Sequence, residues 1–429
     1  MSARAQVVGT SIDSYLNLRR SKYSLHTLGR LLRGGKRRVA FYYRADDPYS
    51  HLLAQVMPRL ASIYRLEVDV IPVAEASIAA HPAPDMLAHH AMRDAALLAE
   101  SYGLSFAPRT ELPPADRIRR AHAVLLRDRP SAEQLEVAQR VGEAVWTDDG
   151  NALASLVERH GAVSGESVSP LLRRNLERLE RSGHYQSGML HYGGEWYWGL
   201  DRLPYLEGRL QSEGLDGDTK LAAGRAPSLT AMLGATHGRP RLEVFISFRS
   251  PYSYLSLPQL RDMRDQGLID LELRPVLPMV MRGLQVPRAK RLYIVHDAKR
   301  EADRLGIPFG RVCDPLGKGI GYCFAVFYHC AVPKGLGLEF ALSALQGSWS
   351  EARDIASIPD LLFLAGRVGI GEAEVREALA DDSWKEKTTT NREILTNLGL
   401  WGVPSVQIGS YFTWGQDRLP LIRAALAGS

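Results

Sequence analysis

Ser247-Phe248-Arg249-Ser250-Pro251-Tyr252-Ser253-Tyr254-Leu255 reads as a strand running straight into a helix, with Ser250 at the turn. Serine followed by proline is the ordinary signature of a helix start, hydroxyl as cap and proline at the first helical position. From Ser250 to Ser253 the spacing is that of a redox Cys-x-x-Cys, but both ends carry hydroxyls. A hydroxyl forms no disulfide, so the site cannot exchange dithiols through its own side chains. It can donate a hydrogen bond to a bound thiolate, and the free N–H groups of a helix start favour that ion. The thiol then has to come from a ligand.

Working outward, the stretch proves to be written twice. A shift of 203 positions superposes Pro48-Tyr49-Ser50 and Leu52 on Pro251-Tyr252-Ser253 and Leu255, Pro72-Val73 on Pro275-Val276, and Asp94-Ala95 on Asp297-Ala298. It also places Gly103 on Gly306, Phe106 on Phe309 and Trp146 on Trp349. Near the end of each half the shift becomes 216, where Trp198-Gly199 and Asp201-Arg202-Leu203-Pro204 match Trp414-Gly415 and Asp417-Arg418-Leu419-Pro420.

Each copy predicts a first strand (Val39 to Tyr43; Leu242 to Phe248), a helix, and a second strand (Leu66 to Val73; Ile269 to Val276). Because a helical crossover joins them, the two strands should lie parallel in one sheet. A long helical insertion follows, from Asp94 to about Arg181 and from Asp297 to about Asn397, broken at Pro113-Pro114, Asp149-Gly150, Pro333 and Gly335. A hairpin and a last helix close each copy; in the second, Gly402 to Phe412 holds two short strands around a Gly-Ser turn and a helix begins near Asp417. Gln211 to Arg239, rich in Gly, Ser, Asp and Pro, reads as the surface connection, with one helical turn at Ser228 to Leu233. The expected organisation is a basic extension over 1–38, copies over 39–210 and 241–429, and a linker over 211–240.

Composition fits an ordinary globular chain of two or three domains, 429 residues with 45% hydrophobic and 24% charged. There is no run of 18 apolar residues and no secretory start, so the expectation is a cytoplasmic protein without a membrane partner. Cys313, Cys323 and Cys330 are too few for a disulfide scaffold, and the latter two lie in an apolar run with Tyr328 and His329 that reads as a core helix, so no metal is expected. The net charge of +5 comes from a front cluster of Arg4, Arg19, Arg20, Lys22, Arg30, Arg33, Lys36, Arg37 and Arg38 against Asp13 alone. Tyr15, Leu16, Leu18, Leu28, Leu31 and Leu32 give the same segment an apolar side, and it lacks interleaved stacking aromatics. It reads as a packed extension and no nucleic-acid partner is expected.

Four pieces of the second copy carry a family likeness: Ser250-Pro251-Tyr252-Ser253, then Gln285-Val286-Pro287-Arg288-Ala289-Lys290 with Tyr293 and Asp297, then Gly402-Val403-Pro404, and Trp414 to Leu419. In this order they resemble the kappa-class glutathione transferase and 2-hydroxychromene-2-carboxylate isomerase family, on the DsbA-like thioredoxin fold. The resemblance covers nearly all of 241–429 and implies a thioredoxin sheet with a helical insertion there; with the internal repeat, the expected fold is an α/β chain of two tandem thioredoxin-like domains, each with a helical insertion. It implies glutathione as cofactor, with Ser250 as the catalytic hydroxyl holding its thiolate. Pro404 would be cis and Val403 would pair with the cysteinyl backbone, while Gln416 and Asp417 would take the γ-glutamyl end and Lys290 and Gln285 the rest of the peptide. One position departs from the family: Ser247 stands where an acid is usual in the first strand.

The first copy departs further, with Asp47 in place of Ser250, Gly188 of Pro404, Leu87 of Lys290 and Pro82 of Gln285. A carboxylate beside a thiolate raises the thiol pKa. The first copy is therefore expected to be a scaffold standing where a second subunit stands in dimeric relatives, giving a monomer with an internal pseudo-dimer or a homodimer. The leading function is a glutathione-dependent isomerase or transferase acting on a small, aromatic or unsaturated electrophile. Tyr252, Tyr254, Met279, Met281 and Trp414 are the residues that would shape its pocket. A catalytically weak or inactive thioredoxin-fold binding or scaffold protein is the alternative, and a thiol-disulfide oxidoreductase ranks below both because residues 250 and 253 carry no sulfur.

Overall fold

The computed structural model describes residues 13–14, 26–29, 36–221, 223–224, 226–234 and 238–427. Arg4, Arg19, Arg20, Lys22, Arg30 and Arg33 of the basic front cluster lie outside the described residues. The chain divides into two compact units, Ser21–Ala226 and a second made of Met1–Arg20 with Pro227–Ser429.

In the unit Ser21–Ala226, β1 (Arg37–Tyr43) leads through α1 (Pro48–Tyr64) to β2 (Leu66–Pro72), which pairs with β1 in parallel. The helical insertion is α2 (Pro84–Tyr102), α3 (Ala115–Leu125), α4 (Ser131–Trp146), α5 (Gly150–His160) and α6 (Gly165–Arg181). The hairpin β3 (Met189–Tyr192) and β4 (Glu195–Trp198) returns antiparallel to β1, and α7 (Leu203–Ser212) closes the unit. Gly193 and Gly194 both sit at positive φ, 58° and 80°, the backbone that a tight two-residue hairpin turn requires. Val39, Phe41 and Tyr43 alternate along β1 into one continuous core with Leu52, Met57 and Val141.

The second unit repeats the order. α8 (Pro227–Gly234) precedes β5 (Arg241–Ile246), α9 (Pro251–Asp265) and β6 (Asp270–Pro275), and β5 pairs with β6 in parallel. The insertion is α10 (Arg288–Leu305), α11 (Lys318–Val326) extended by a π turn at Phe327–Ala331, α12 (Gly337–Ser350), α13 (Ile358–Gly366), α14 (Glu372–Ala378) and α15 (Trp384–Asn397). Then come β7 (Ser405–Ile408), β8 (Tyr411–Trp414) and α16 (Leu419–Leu426). The sheet orders are β2-β1-β3-β4 and β6-β5-β7-β8, the same arrangement twice. Phe248, just beyond β5, packs edge-on against Phe324 at 5.6 Å between ring centroids and against Phe327 at 6.1 Å, tying the insertion to the strand end. Full burial of such a ring stabilises by about 1.5–3 kcal/mol.

Two expectations from sequence meet different backbone. Strand β5 ends at Ile246 and not at Phe248, because Ser247 already accepts the turn, its carbonyl from Ser250 N–H at 2.9 Å. The stretch read as a linker begins inside α7 and contains α8, whose Leu229 and Leu233 lie one helical turn apart and are buried. α8 packs on α16. Within the first unit, residues 217–219 of that stretch are tied down as well, Gly217 carbonyl accepting from the Tyr64 hydroxyl at 2.8 Å and Thr219 N–H donating to Glu207 at 3.0 Å.

Hydrogen bonds recur at the spacings found in the sequence. The Tyr49 hydroxyl donates to buried Asp94 at 2.8 Å, and Tyr252 does the same to Asp297 at 2.8 Å. Arg44 N–H donates to Ser50 Oγ, and Ser247 N–H to Ser253 Oγ, each at 3.2 Å. Gly199 N–H donates to Gly188 carbonyl, and Gly415 N–H to Pro404 carbonyl, each at 2.9 Å. The Pro-Tyr-Ser motif thus does the same work in both units: it caps the turn and struts the first two helices.

Candidate functional site

Ser250 is the N-cap of α9, half-buried, with extended backbone (φ −88°, ψ 119°). Its Oγ accepts from Ser253 N–H at 3.1 Å and lies 3.4 Å from the carbonyl oxygen of Val403. The bond between Val403 and Pro404 is cis, as the family likeness implied. The hydroxyl at the helix start and the loop before β7 therefore meet across a sequence separation of 153 residues.

The same loop is fixed from behind. Trp401 and Trp414 rings lie 4.7 Å apart, and a side chain on Gly402 would strike the Trp414 indole. Ser405 Oγ donates to Gly402 carbonyl at 2.8 Å, and Arg282 donates to Trp401 carbonyl at 2.8 Å. Arg282 is half-buried, and that burial, with the charge of Arg392, pushes its guanidinium down to about 10.

Gln416 and Asp417 occupy a short 3₁₀ turn, Gln416–Arg418, that packs on α9. Gln416 is 3% exposed; its Nε2 donates to Glu301 Oε2 at 3.4 Å, while its Oε1 is buried without a hydrogen-bond donor. Asp417 is half-buried. Lys290 lies in the first turn of α10, 8% exposed, and burial pushes its ammonium down to about 8. Gln285 stands apart, exposed in the loop before α10 and making no hydrogen bond among the described residues. The structure thus joins Ser250 to Val403 and Pro404, and packs Gln416 and Asp417 on the helix that Ser250 starts.

Sequence reasoning did not single out Glu301. It is 1% exposed on α10, one helical turn beyond Asp297, and it ties that helix to Gln416. A signal was present: the 203-residue shift sets Glu301 on Leu98, and the 216-residue shift sets Gln416 on Leu200, so one copy carries a polar pair where the other carries two leucines.

At the matching place in the first unit, Asp47 caps α1 and accepts from Tyr49 N–H at 3.1 Å, Ser50 Oγ at 2.7 Å and Ser187 Oγ at 2.9 Å. Burial holds its carboxyl above the usual carboxylate range, against the pull of those hydroxyls and of Arg44. Gly188, with φ 64°, stands where Pro404 stands.

No thiol in the molecule is poised for attack. Burial, with Asp354 and Asp314 nearby, pushes Cys313 up to about 11, and burial raises Cys323 and Cys330 as well. Among the described residues no three His, Cys, Asp or Glu side chains gather as a metal site, and no helix is long and apolar enough to cross a membrane.

The helix start, the cis-proline loop and the inserted helices all fall inside one family boundary. Residues 241–427 match the DSBA-like thioredoxin domain. Solved structures similar to this DSBA-like domain include a 2-hydroxychromene-2-carboxylate isomerase, at 18% identity and a TM-score of 0.38, covering 44% of this chain and 94% of that one. The cytosolic disulfide reductase DsbM from Pseudomonas aeruginosa, also solved with GSH, is similar at 20% identity and a TM-score of 0.36, covering 44% of this chain and 96% of its own. The thiol-disulfide exchange protein alpha-DsbA2 from Wolbachia pipientis is similar at 13% identity and a TM-score of 0.31, covering 47% and 92%. No curated protein matches the chain.

Proposed function

We propose that the DSBA-like domain is a glutathione-dependent isomerase or transferase and that residues 39–210 form a related, non-catalytic copy. The observation that carries the reading is Ser250 Oγ, held at a helix start within 3.4 Å of the Val403 carbonyl, with no sulfur in place at 250 or 253. A hydroxyl there serves a thiolate brought by a ligand better than it serves any chemistry of its own.

The residues present suit glutathione. Lys290, in the first turn of α10, would offer its ammonium to a ligand carboxylate. The donor-free Oε1 of Gln416, with Asp417 beside it, suits the α-ammonium of a γ-glutamyl group. Val403 would pair with the peptide backbone of the cysteinyl residue. When bound, glutathione supplies a thiolate nucleophile for a conjugated or otherwise electrophilic carbon. Ser250 would lower the thiol pKa through its hydroxyl and the helix start, and Val403 beside it would hold the cysteinyl backbone. Met279 and half-exposed Met281, in the turn before α10, would meet an apolar second substrate.

Asp47 supports the assignment of chemistry to the second copy alone, since its carboxyl fills the place of the serine hydroxyl and is already engaged by Tyr49 N–H, Ser50 and Ser187. Calorimetric titration of the full chain with glutathione tests the reading. Saturable binding, weakened in Ser250→Ala together with any conjugating activity, is expected; no binding heat and no thiolate absorbance overturn it.

A further inference from the structure

Resting on that reading, we infer that Glu301 is a positioning residue that makes the site select for an ammonium group, by fixing which end of the Gln416 carboxamide faces the ligand. A free glutamine side chain can turn over, offering either its NH2 or its oxygen. Beside a carboxylate it cannot: an ionised carboxylate only accepts, so the NH2 end must point to it. Glu301 is 1% exposed and takes Gln416 Nε2 at 3.4 Å, while half-exposed Arg304 reaches the same Oε2 at 2.8 Å. The consequence is a carboxamide oxygen turned away from Glu301, buried and without a donor. An acceptor-only group at that end pairs with N–H donors and rejects carboxylates.

The other copy shows what the same scaffold does without the pair. Leu98 and Leu200, at the matching places on α2 and on the 3₁₀ turn Leu200–Arg202, are each 1% exposed in one core cluster. Apolar residues therefore fill both places there, within one hydrophobic core. Two buried polar groups, one of them with an unmet acceptor, are a poor choice for packing alone. They are intelligible as recognition.

The test compares glutathione with its desamino analogue, glutaryl-cysteinylglycine, by calorimetry on the full chain. The parent protein should prefer glutathione by at least about tenfold, the effect of one charge-assisted hydrogen bond. Glu301→Leu should shrink that ratio to within about threefold and leave the analogue's own affinity nearly unchanged. Glu301→Gln should lose part of the preference, because its carboxamide can present either its oxygen or its NH2 to Gln416 and no longer fixes which end faces it. Gln416→Leu should match Glu301→Leu, and the double variant should lose no more than either single one. Glu301→Met carries the same comparison should the leucine variant not fold. An unchanged ratio in Glu301→Leu, or equal weakening of both ligands, overturns the inference and leaves the proposed function standing. A parent protein that binds neither ligand overturns the proposed function itself.

Discussion

The Asp47 carboxylate occupies the space that any side chain at Gly188 would need: a Cβ built on Gly188 falls 2.9 Å from Asp47 Oδ2. The aspartate and the glycine are thus one substitution in structural terms. With Gly188 standing where Pro404 stands and a carboxyl group filling the gap, the first unit closes the place where the second leaves a hydroxyl facing a loop.

Gly188→Ala should therefore destabilise the protein by about 1–3 kcal/mol, from backbone strain at positive φ and from collision with Asp47. In an Asp47→Ser background the collision term is relieved and the strain remains, so the same change should cost about half as much. Urea unfolding of the four proteins reads the difference. Equal costs in both backgrounds would show that Asp47 and Gly188 are independent.

Ser250→Ala should raise the pKa of the bound glutathione thiol by about one to two units, since a hydrogen bond to a charged group is worth about 1.5–3 kcal/mol. Ultraviolet thiolate titration measures it. Ser250→Thr, which keeps the hydroxyl and the cap, should restore most of the shift. A titration curve unmoved in the alanine variant removes Ser250 from the chemistry.

Lys290 supplies a pH dependence with a definite sign. Its folded-state pKa is lowered to about 8 from 10.5, so between those values the unfolded chain binds more protons than the native one. Stability of the free protein should rise across that window, and Lys290→Met should abolish the rise. Ligand binding runs the other way: a carboxylate partner needs the ammonium, so affinity for S-methylglutathione, which has no thiol to titrate, should fall as pH passes about 8. In Lys290→Met it should be weaker and fall less steeply there, the remaining fall being that of the ligand's own α-ammonium. A parent profile no steeper than the variant's assigns Lys290 to packing.

Tyr49→Phe and Tyr252→Phe form a matched pair. Each removes a hydroxyl donating to a buried carboxylate, Asp94 or Asp297, and each should cost about 1–3 kcal/mol. Hydrogen exchange should show the loss confined to the unit that carries the change. Effects spread evenly over both units would contradict the separate role of each strut.

Gly402→Ala should displace the loop of Val403 and Pro404, because the new methyl meets the Trp414 ring, itself packed on Trp401. Loss of glutathione affinity together with about 1–3 kcal/mol of stability is expected by calorimetry and thermal unfolding. Unimpaired binding would show that the loop tolerates the shift.

Local chemistry made much of this legible in advance. Ser250 before Pro251, the glycines of the hairpins and the alternation of β1 and β5 each announce their backbone within a few residues. The parallel pairing of β5 with β6 followed from the helix between them. What could not be read were contacts set by how distant segments come to rest. Ser187 reaches Asp47 across 140 residues, and Gln416 reaches Glu301 across 115. No spacing rule encodes such meetings; only comparison of the two copies hints at them, through leucines where the other half is polar. Helix α8 was half hidden for another reason: its glycine- and proline-rich flanks mask Leu229 and Leu233.

Two sheets of one strand order lie on a single polypeptide, so every molecule carries one Ser250 and one Asp47 whatever its concentration. Under the proposed function the binding stoichiometry is written into the gene as one glutathione per chain. Dilution, subunit exchange or mixed assembly has no means of changing that number.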